Sequence, residues 1–176
     1  MSVNNETLIG LVAKGDERAF NELYHKFKDD IYKLSFYYLQ NKEDAEDVLQ
    51  EIFVTVYKRA STFKSNSSFS TWLYRIAVNK CLDKLKYLKA RKRLALFTHF
   101  FHPAGTSDNA PYSDEDLNLL HNTIDKLLPQ QKTALILTQI QELSINETAA
   151  IMNLSSKAVE SLTQRAKANL RKKMKK

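Results

Sequence analysis

Glycine and proline are scarce in this 176-residue chain, at three of each. With so few turn formers and an abundance of helix formers, the chain is predicted to be all-α. A single cysteine, Cys81, excludes an internal disulfide framework and fits a reducing cytoplasm. No apolar run approaches the ~20 residues that a membrane-spanning helix needs, so membrane insertion is not expected. The opening MSVNNETLIGLVAKGDE is polar and acidic and lacks the pattern of a signal peptide. Low mean hydropathy, −0.43, describes a soluble folded chain.

What the chain does have is positive charge. The formal net charge is +7. Residues 1–94 hold 17 basic and 12 acidic side chains, residues 95–113 only the acid Asp108, and residues 114–176 hold 10 and 7. Basic helical ends around a non-basic middle point to a polyanionic partner, though membrane-surface proteins share that balance.

The most informative stretch is FSTWLYRIAVNKCLDKLKYLKARKR, Phe69 to Arg93. It carries the only tryptophan and eight Lys/Arg against one acid, Asp83. Without Gly or Pro it reads as one long helix. Phe69, Trp72, Leu73 and Ile76 form an apolar stripe at i, i+3, i+4 and i+7. Trp72, Arg75, Asn79, Asp83 and Lys86 share a neighbouring face. Cations meet phosphate, an indole offers a stacking plane, and an amide can read a base edge, so this face suits a nucleic-acid strand. It equally describes a solvated basic face.

Before it, residues 5–14 read as a short helix and Asp16 as the N-cap of a second, reaching about Gln40. Asn41 caps a third, whose first turns are acidic, as the helix dipole favours. Ala45, Val48, Leu49, Ile52, Phe53 and Val56 make its apolar face. Glu43, Asp47, Gln50, Glu51 and Val54 lie opposite. A branched apolar residue amid outward acids hints at a protein-docking surface, although a stray valine on a solvated face gives the same pattern. Residues 61–68 form a polar loop.

After Leu94 the composition changes. Residues 95–113 are expected to link two domains, 1–94 and 114–176. Phe97, Phe100 and Phe101 are too apolar for a solvated tether and are expected to be buried. His99 and His102 have ligand-like spacing but no Cys, Asp or Glu close by, so no metal and no cofactor is expected. Ser113 with Asp116 opens the next helix as a capping box, and Pro129 starts another through about Gln141. Ser144 and Glu147 form a second capping box. A turn at Asn153–Leu154 leads to a last helix capped by Ser155 or Ser156. Helix, short turn, helix, with Ala149 and Ala150 at the crossing, is a helix-turn-helix pattern over 144–167. In the last helix Val159, Leu162, Ala166 and Leu170 face inward. Lys157, Ser161, Gln164, Ala168 and Arg171 face outward, flanked by Glu160 and Arg165.

Two strings carry a family resemblance. DAEDVLQEIF, Asp44 to Phe53, followed by Phe69-x-x-Trp72-Leu73-x-x-Ile76-Ala77-x-Asn79-x-x-x-Asp83, resembles region 2 of bacterial sigma factors. Ala158 to Leu162 through Arg165-Ala166-Lys167 resembles sigma region 4 and departs from it at Glu160 and Leu162. The short chain resembles the extracytoplasmic-function (ECF) branch of the sigma-70 family. That resemblance implies two small helical domains, cytoplasmic and without a catalytic site. It sets Glu43, Asp44, Asp47, Gln50, Glu51 and Val54 against the β′ clamp helices of core RNA polymerase. It assigns Lys64, Ser65, Asn66, Trp72, Arg75, Asn79, Lys80 and Lys86 to the −10 promoter element, which region 2 binds and melts. Ser156, Lys157, Glu160, Ser161, Gln164, Arg165 and Arg171 fall to the −35 element. It further implies contact with the polymerase β flap and leaves a membrane-bound anti-sigma factor as an open partner. A free-standing helix-turn-helix regulator, a helical enzyme and a basic RNA-binding scaffold are the alternatives. The first needs no acidic docking face, and for the second no nucleophile–base pair or phosphate loop is present.

Overall fold

A computed structural model describes residues 3–99 and 122–174. Among them every regular element is helical. Helix α1 spans Asn5–Val12, α2 Glu17–Leu39, α3 Lys42–Arg59 and α4 Phe69–His99. A helical turn at 122–125 follows. Then come α5 at Pro129–Leu135, running on into a π-helical turn at Ile136–Ile140, α6 at Ile145–Met152, and α7 at Ser156–Met174.

Short side chains set the boundaries. Asn4, Asp16 and Asn41 each accept from backbone N–H groups of the helix they open. Between α1 and α2, Gly15 takes φ +88, a conformation that favours glycine. Pro129 stands in the first turn of α5, where its missing N–H leaves no bond unmade. Ser144 and Glu147 make the expected capping box, and Asn153 closes α6 in the left-handed region at φ 54. The loop expected at 61–68 is partly structured, because a 3-10 turn covers Ala60–Thr62. α4 runs to His99, into the stretch expected to be linker. The Ser113–Asp116 capping box, His102 and the side chains of Phe97, Phe100 and Phe101 lie outside the described residues.

The main core lies among α1, α2, α3 and α4. Leu23, Ile31 and Leu34 of α2 pack with Val48, Ile52 and Val56 of α3 and with Phe69, Leu73 and Ala77 of α4. Ile136, Leu137 and Ile151 of the C-terminal half join this same cluster. A smaller cluster of Ile124, Leu127, Leu135 and Ala166 holds the C-terminal helices to each other. The two halves therefore share apolar contact in addition to having separate cores.

Polar bonds cross the same seam. The Tyr38 hydroxyl donates to Thr133 Oγ1 at 2.7 Å, and Lys132 Nζ donates to the Tyr38 carbonyl at 3.0 Å. Lys132 is buried and also paired with Asp125. Burial lowers its pKa, while the Asp125 carboxylate opposes that shift. Near the other end of the seam the Tyr74 hydroxyl donates to Gln141 Oε1 at 3.1 Å.

Candidate functional site

Three surfaces carry the sequence-predicted residues. The first is the outer face of α3. Its apolar stripe is buried as expected, with Ala45, Ile52 and Val56 fully inside and Leu49 half-buried. Glu43, Asp47, Gln50 and Glu51 are exposed, Asp44 is half-buried, and Val54 is 50% exposed. Asp47, Gln50, Glu51, Val54, Thr55, Lys58 and Lys80 line one shallow concavity. Lys80 and Lys84 reach it from α4. Lys84 Nζ lies 2.8 Å from Asp44 Oδ1 and 3.8 Å from Asp47 Oδ2, and Lys80 Nζ lies 3.2 Å from Glu51 Oε2. The hydrogen bond to Asp44 raises the Lys84 pKa, so the ammonium is held charged. Lys80, expected on the nucleic-acid face, also serves the acidic one. Sequence periodicity missed Lys84, whose role appears only once α3 and α4 lie side by side.

The second surface is the aromatic and basic face of α4 with the loop before it. Ser68 Oγ accepts from the Thr71 N–H, and Glu6 Oε1 of α1 accepts from the Phe69 N–H at 3.0 Å. That carboxylate sits at the positive end of the α4 dipole. Lys64, Ser65 and Asn66 are exposed in the loop, and Ser65 takes φ 55. Trp72 is half-buried, with its ring edge-on to Phe63 at 5.5 Å and tilted against Phe69 at 6.0 Å. One crevice gathers Arg59, Trp72, Arg75, Ile76, Asn79, Lys80 and Asp83. Arg59 is an addition that α4 periodicity could not supply. Lys86 lies farther along, 80% exposed and 3.3 Å from Asp83. Arg75 is engaged, because its Nε and Nη2 donate to the Ala150 carbonyl of α6 at 3.1 and 2.6 Å.

The third surface is α7. Ser155 Oγ accepts from the Ala158 N–H and is the N-cap. Ser156 is half-buried and donates to Asn146 Oδ1 at 2.7 Å, tying α7 to the start of α6. Lys157, Glu160, Gln164, Arg165, Ala168 and Arg171 are exposed, and Ser161 is half-buried. Val159 and Ala166 are fully buried, while Leu162 and Leu170 are half-buried. Thr163, which sequence reasoning left out of the inward set, is buried as well.

Among the described residues no cluster of three or more His, Cys, Asp or Glu could hold a metal ion. Among them, too, no helix is long and apolar enough to cross a membrane.

Residues 23–93 match the family model for sigma-70 region 2, and residues 117–170 match that for sigma-70 region 4. Over 173 residues the chain is 34% identical to the ECF RNA polymerase sigma factor SigW of Bacillus subtilis (strain 168), across 93% of this chain and 92% of that protein. It is 32% identical over 178 residues to the ECF RNA polymerase sigma-E factor of Escherichia coli (strain K12), across 94% and 91% respectively. Its fold is similar to that of CnrH in a solved complex with the cytosolic domain of CnrY. There the TM-score is 0.73, the sequence identity 27%, and the coverage 97% of both chains.

Proposed function

Because the chain belongs to the ECF branch of the sigma-70 family, we propose that it is a promoter-specificity subunit whose three surfaces divide that work. It binds core RNA polymerase and directs it to particular promoters. The nucleotide chemistry belongs to the polymerase, and the chain acts in the cytoplasm. The observation that carries this reading is the match to both sigma regions in one chain, in order, over residues 23–93 and 117–170.

The α3 face fits the docking role. Val54, half-exposed in one concavity with Asp47, Glu51, Lys58 and Lys80, is an apolar anchor with charge of both signs around it. Glu43, Asp44, Asp47, Gln50 and Glu51 offer acceptors to basic residues on the β′ clamp helices. Lys80 and Lys84 hold the carboxylates of Glu51 and of Asp44 and Asp47 in position. The α4 face, with Lys64, Ser65 and Asn66 of the loop, is the proposed −10 site. Trp72 supplies a stacking plane, Asn79 a base-edge amide, and Arg75, Lys80 and Lys86 the phosphate contacts. At the start of α7, Ser156, Lys157, Glu160, Ser161, Gln164 and Arg165 would face the −35 major groove, with Arg171 on phosphate. The β flap would hold the same C-terminal half. An anti-sigma factor is a further proposed partner; CnrH, which is similar in fold, is itself in complex with the cytosolic domain of CnrY.

Run-off transcription with core polymerase and a promoter library tests the reading. It should give discrete start sites sharing two sequence elements. Transcription no different from core polymerase alone would reject it.

A further inference from the structure

Helix α1 lies outside both family-matched spans, 23–93 and 117–170. It nevertheless underlies the loop assigned to the −10 strand. Leu8, Ile9 and Val12 are buried in one cluster with Ala60 of the 3-10 turn, which leads into that loop, and with Phe69, where the loop ends. Glu6 is half-buried on the same side of α1 as Ile9. Its Oε1 accepts from the Phe69 N–H at 3.0 Å.

Phe69 is the first residue of α4, so its N–H has no acceptor within its own helix. The Ser68 hydroxyl serves the Thr71 N–H instead. A carboxylate 63 residues back in the chain fills the remaining need. The Phe69 ring is held as well, edge-on to Phe27 of α2 at 5.4 Å and to Phe63 at 6.2 Å. Phe63 is also edge-on to Trp72 at 5.5 Å. The loop thus leaves from Phe63 and returns to Phe69, and those two rings pack together. Between them Lys64, Ser65 and Asn66 are exposed. Ser65 takes φ 55, which a serine keeps only where its surroundings hold it. A short loop with joined ends presents its tip in few conformations, and one with a frayed end samples many.

We propose that Glu6 is a positioning residue for the −10 site: it fixes the first turn of α4, and through it sets the loop tip and Trp72 in the arrangement that reads the strand. The proposal rests on the −10 reading of α4 and its loop. Bases are read only when the loop is ordered, whereas phosphates are held either way. Fraying therefore weakens binding of preferred strands in proportion to the ordered fraction and spares the others.

The test uses holoenzyme assembled from the full chain and core polymerase, with a promoter library randomised at both elements and its transcripts sequenced. Glu6→Ala should lower the −10 preference about fivefold, the worth of one net hydrogen bond, with −35 preference and core affinity as in wild type. Glu6→Gln, whose amide oxygen still accepts from the Phe69 N–H, should keep the wild-type preference. Ile31→Val thins the core at α2, away from every proposed surface, and should cost comparable stability while leaving the preference unchanged. Amide exchange at Phe69 should quicken in Glu6→Ala and stay slow in the other two. Wild-type −10 preference in Glu6→Ala would overturn the proposal. So would an equal loss in Glu6→Gln, in Ile31→Val or at the −35 element, or an unprotected Phe69 amide in wild type. All of these leave the −10 reading standing. A wild-type holoenzyme with a −35 preference and none at −10 would instead reject that reading, and the positioning role with it.

Discussion

A double substitution, Asp47→Lys with Val54→Asp, separates docking from folding. Both side chains point away from the core, with Asp47 67% and Val54 50% exposed. Exposed substitutions move stability by less than about 0.5 kcal/mol each. Asp47→Lys brings a cation near Lys84, but Lys84 keeps Asp44 at 2.8 Å. The melting temperature should therefore stay within a few degrees of wild type. At the interface the sum is different. Completing the burial of a half-exposed valine is worth about 1 kcal/mol, and a charge in its place must be desolvated without a partner. Reversing Asp47 adds repulsion against basic partner residues. Together a loss of about 2–4 kcal/mol is expected, or roughly 30- to 1000-fold weaker association. The assay is a titration of labelled chain with core polymerase, alongside run-off transcription and binding to a −35 duplex. Core binding and promoter-specific transcripts should vanish while any duplex binding survives. A folded double variant that assembles with core polymerase at wild-type affinity would refute the docking assignment.

Further substitutions test the other surfaces. Gln164→Ala should cost about 1–3 kcal/mol on the preferred −35 duplex and relax preference at one or two base pairs, read by selection from a randomised element; unchanged preference would remove Gln164 from base contact. Arg171→Ala should weaken all duplexes alike and flatten the salt slope by about one unit. Glu6→Ala removes the carboxylate that accepts from the Phe69 N–H at 3.0 Å and should destabilise the N-terminal half by about 1 kcal/mol in urea unfolding. Hydrogen bonds from the Ser144 hydroxyl and N–H hold the Glu147 carboxyl below its ordinary value. Its contribution is thus full above the unfolded pKa of about 4.3 and fades as pH falls through the lower folded value. Glu147→Gln, which keeps a capping acceptor without a titrating charge, should shallow the acid limb of the stability curve.

Periodicity and caps made the helices legible, since both are local. The α3 stripe from Ala45 to Val56 is buried where a 3.6-residue repeat puts it, and Asp16, Asn41 and Ser144 cap where short acceptors precede apolar runs. Periodicity reports which face turns inward and not what it turns against, and there the reading ran out. Arg75 was legible as a cation beside an indole. That its partner would be a carbonyl 75 residues away was not, because a guanidinium meets phosphate, carboxylate and carbonyl alike. Lys80 likewise reads as one cation in a basic run until Glu51 lies 3.2 Å from it.

Lys132 shows why the seam was the least legible part of all. It sits in a short helix after a proline, where a lysine ordinarily reaches solvent, yet its side chain is 6% exposed. Burying an ammonium is costly unless its donors are satisfied. Here Asp125, seven residues back, neutralises it, and the Tyr38 carbonyl, 94 residues back, takes a second bond. The first partner belongs to its own half, so the charge is neutralised without help from across the seam. The second comes from across the seam and satisfies one more donor of the ammonium. A leucine here would leave the Tyr38 carbonyl without the Lys132 donor. Beside it Ile136, Leu137 and Ile151 supply the apolar contact of the same seam. The feature that hides the seam from sequence reading is a surface-type residue at a buried position, made tolerable by partners that no local pattern announces.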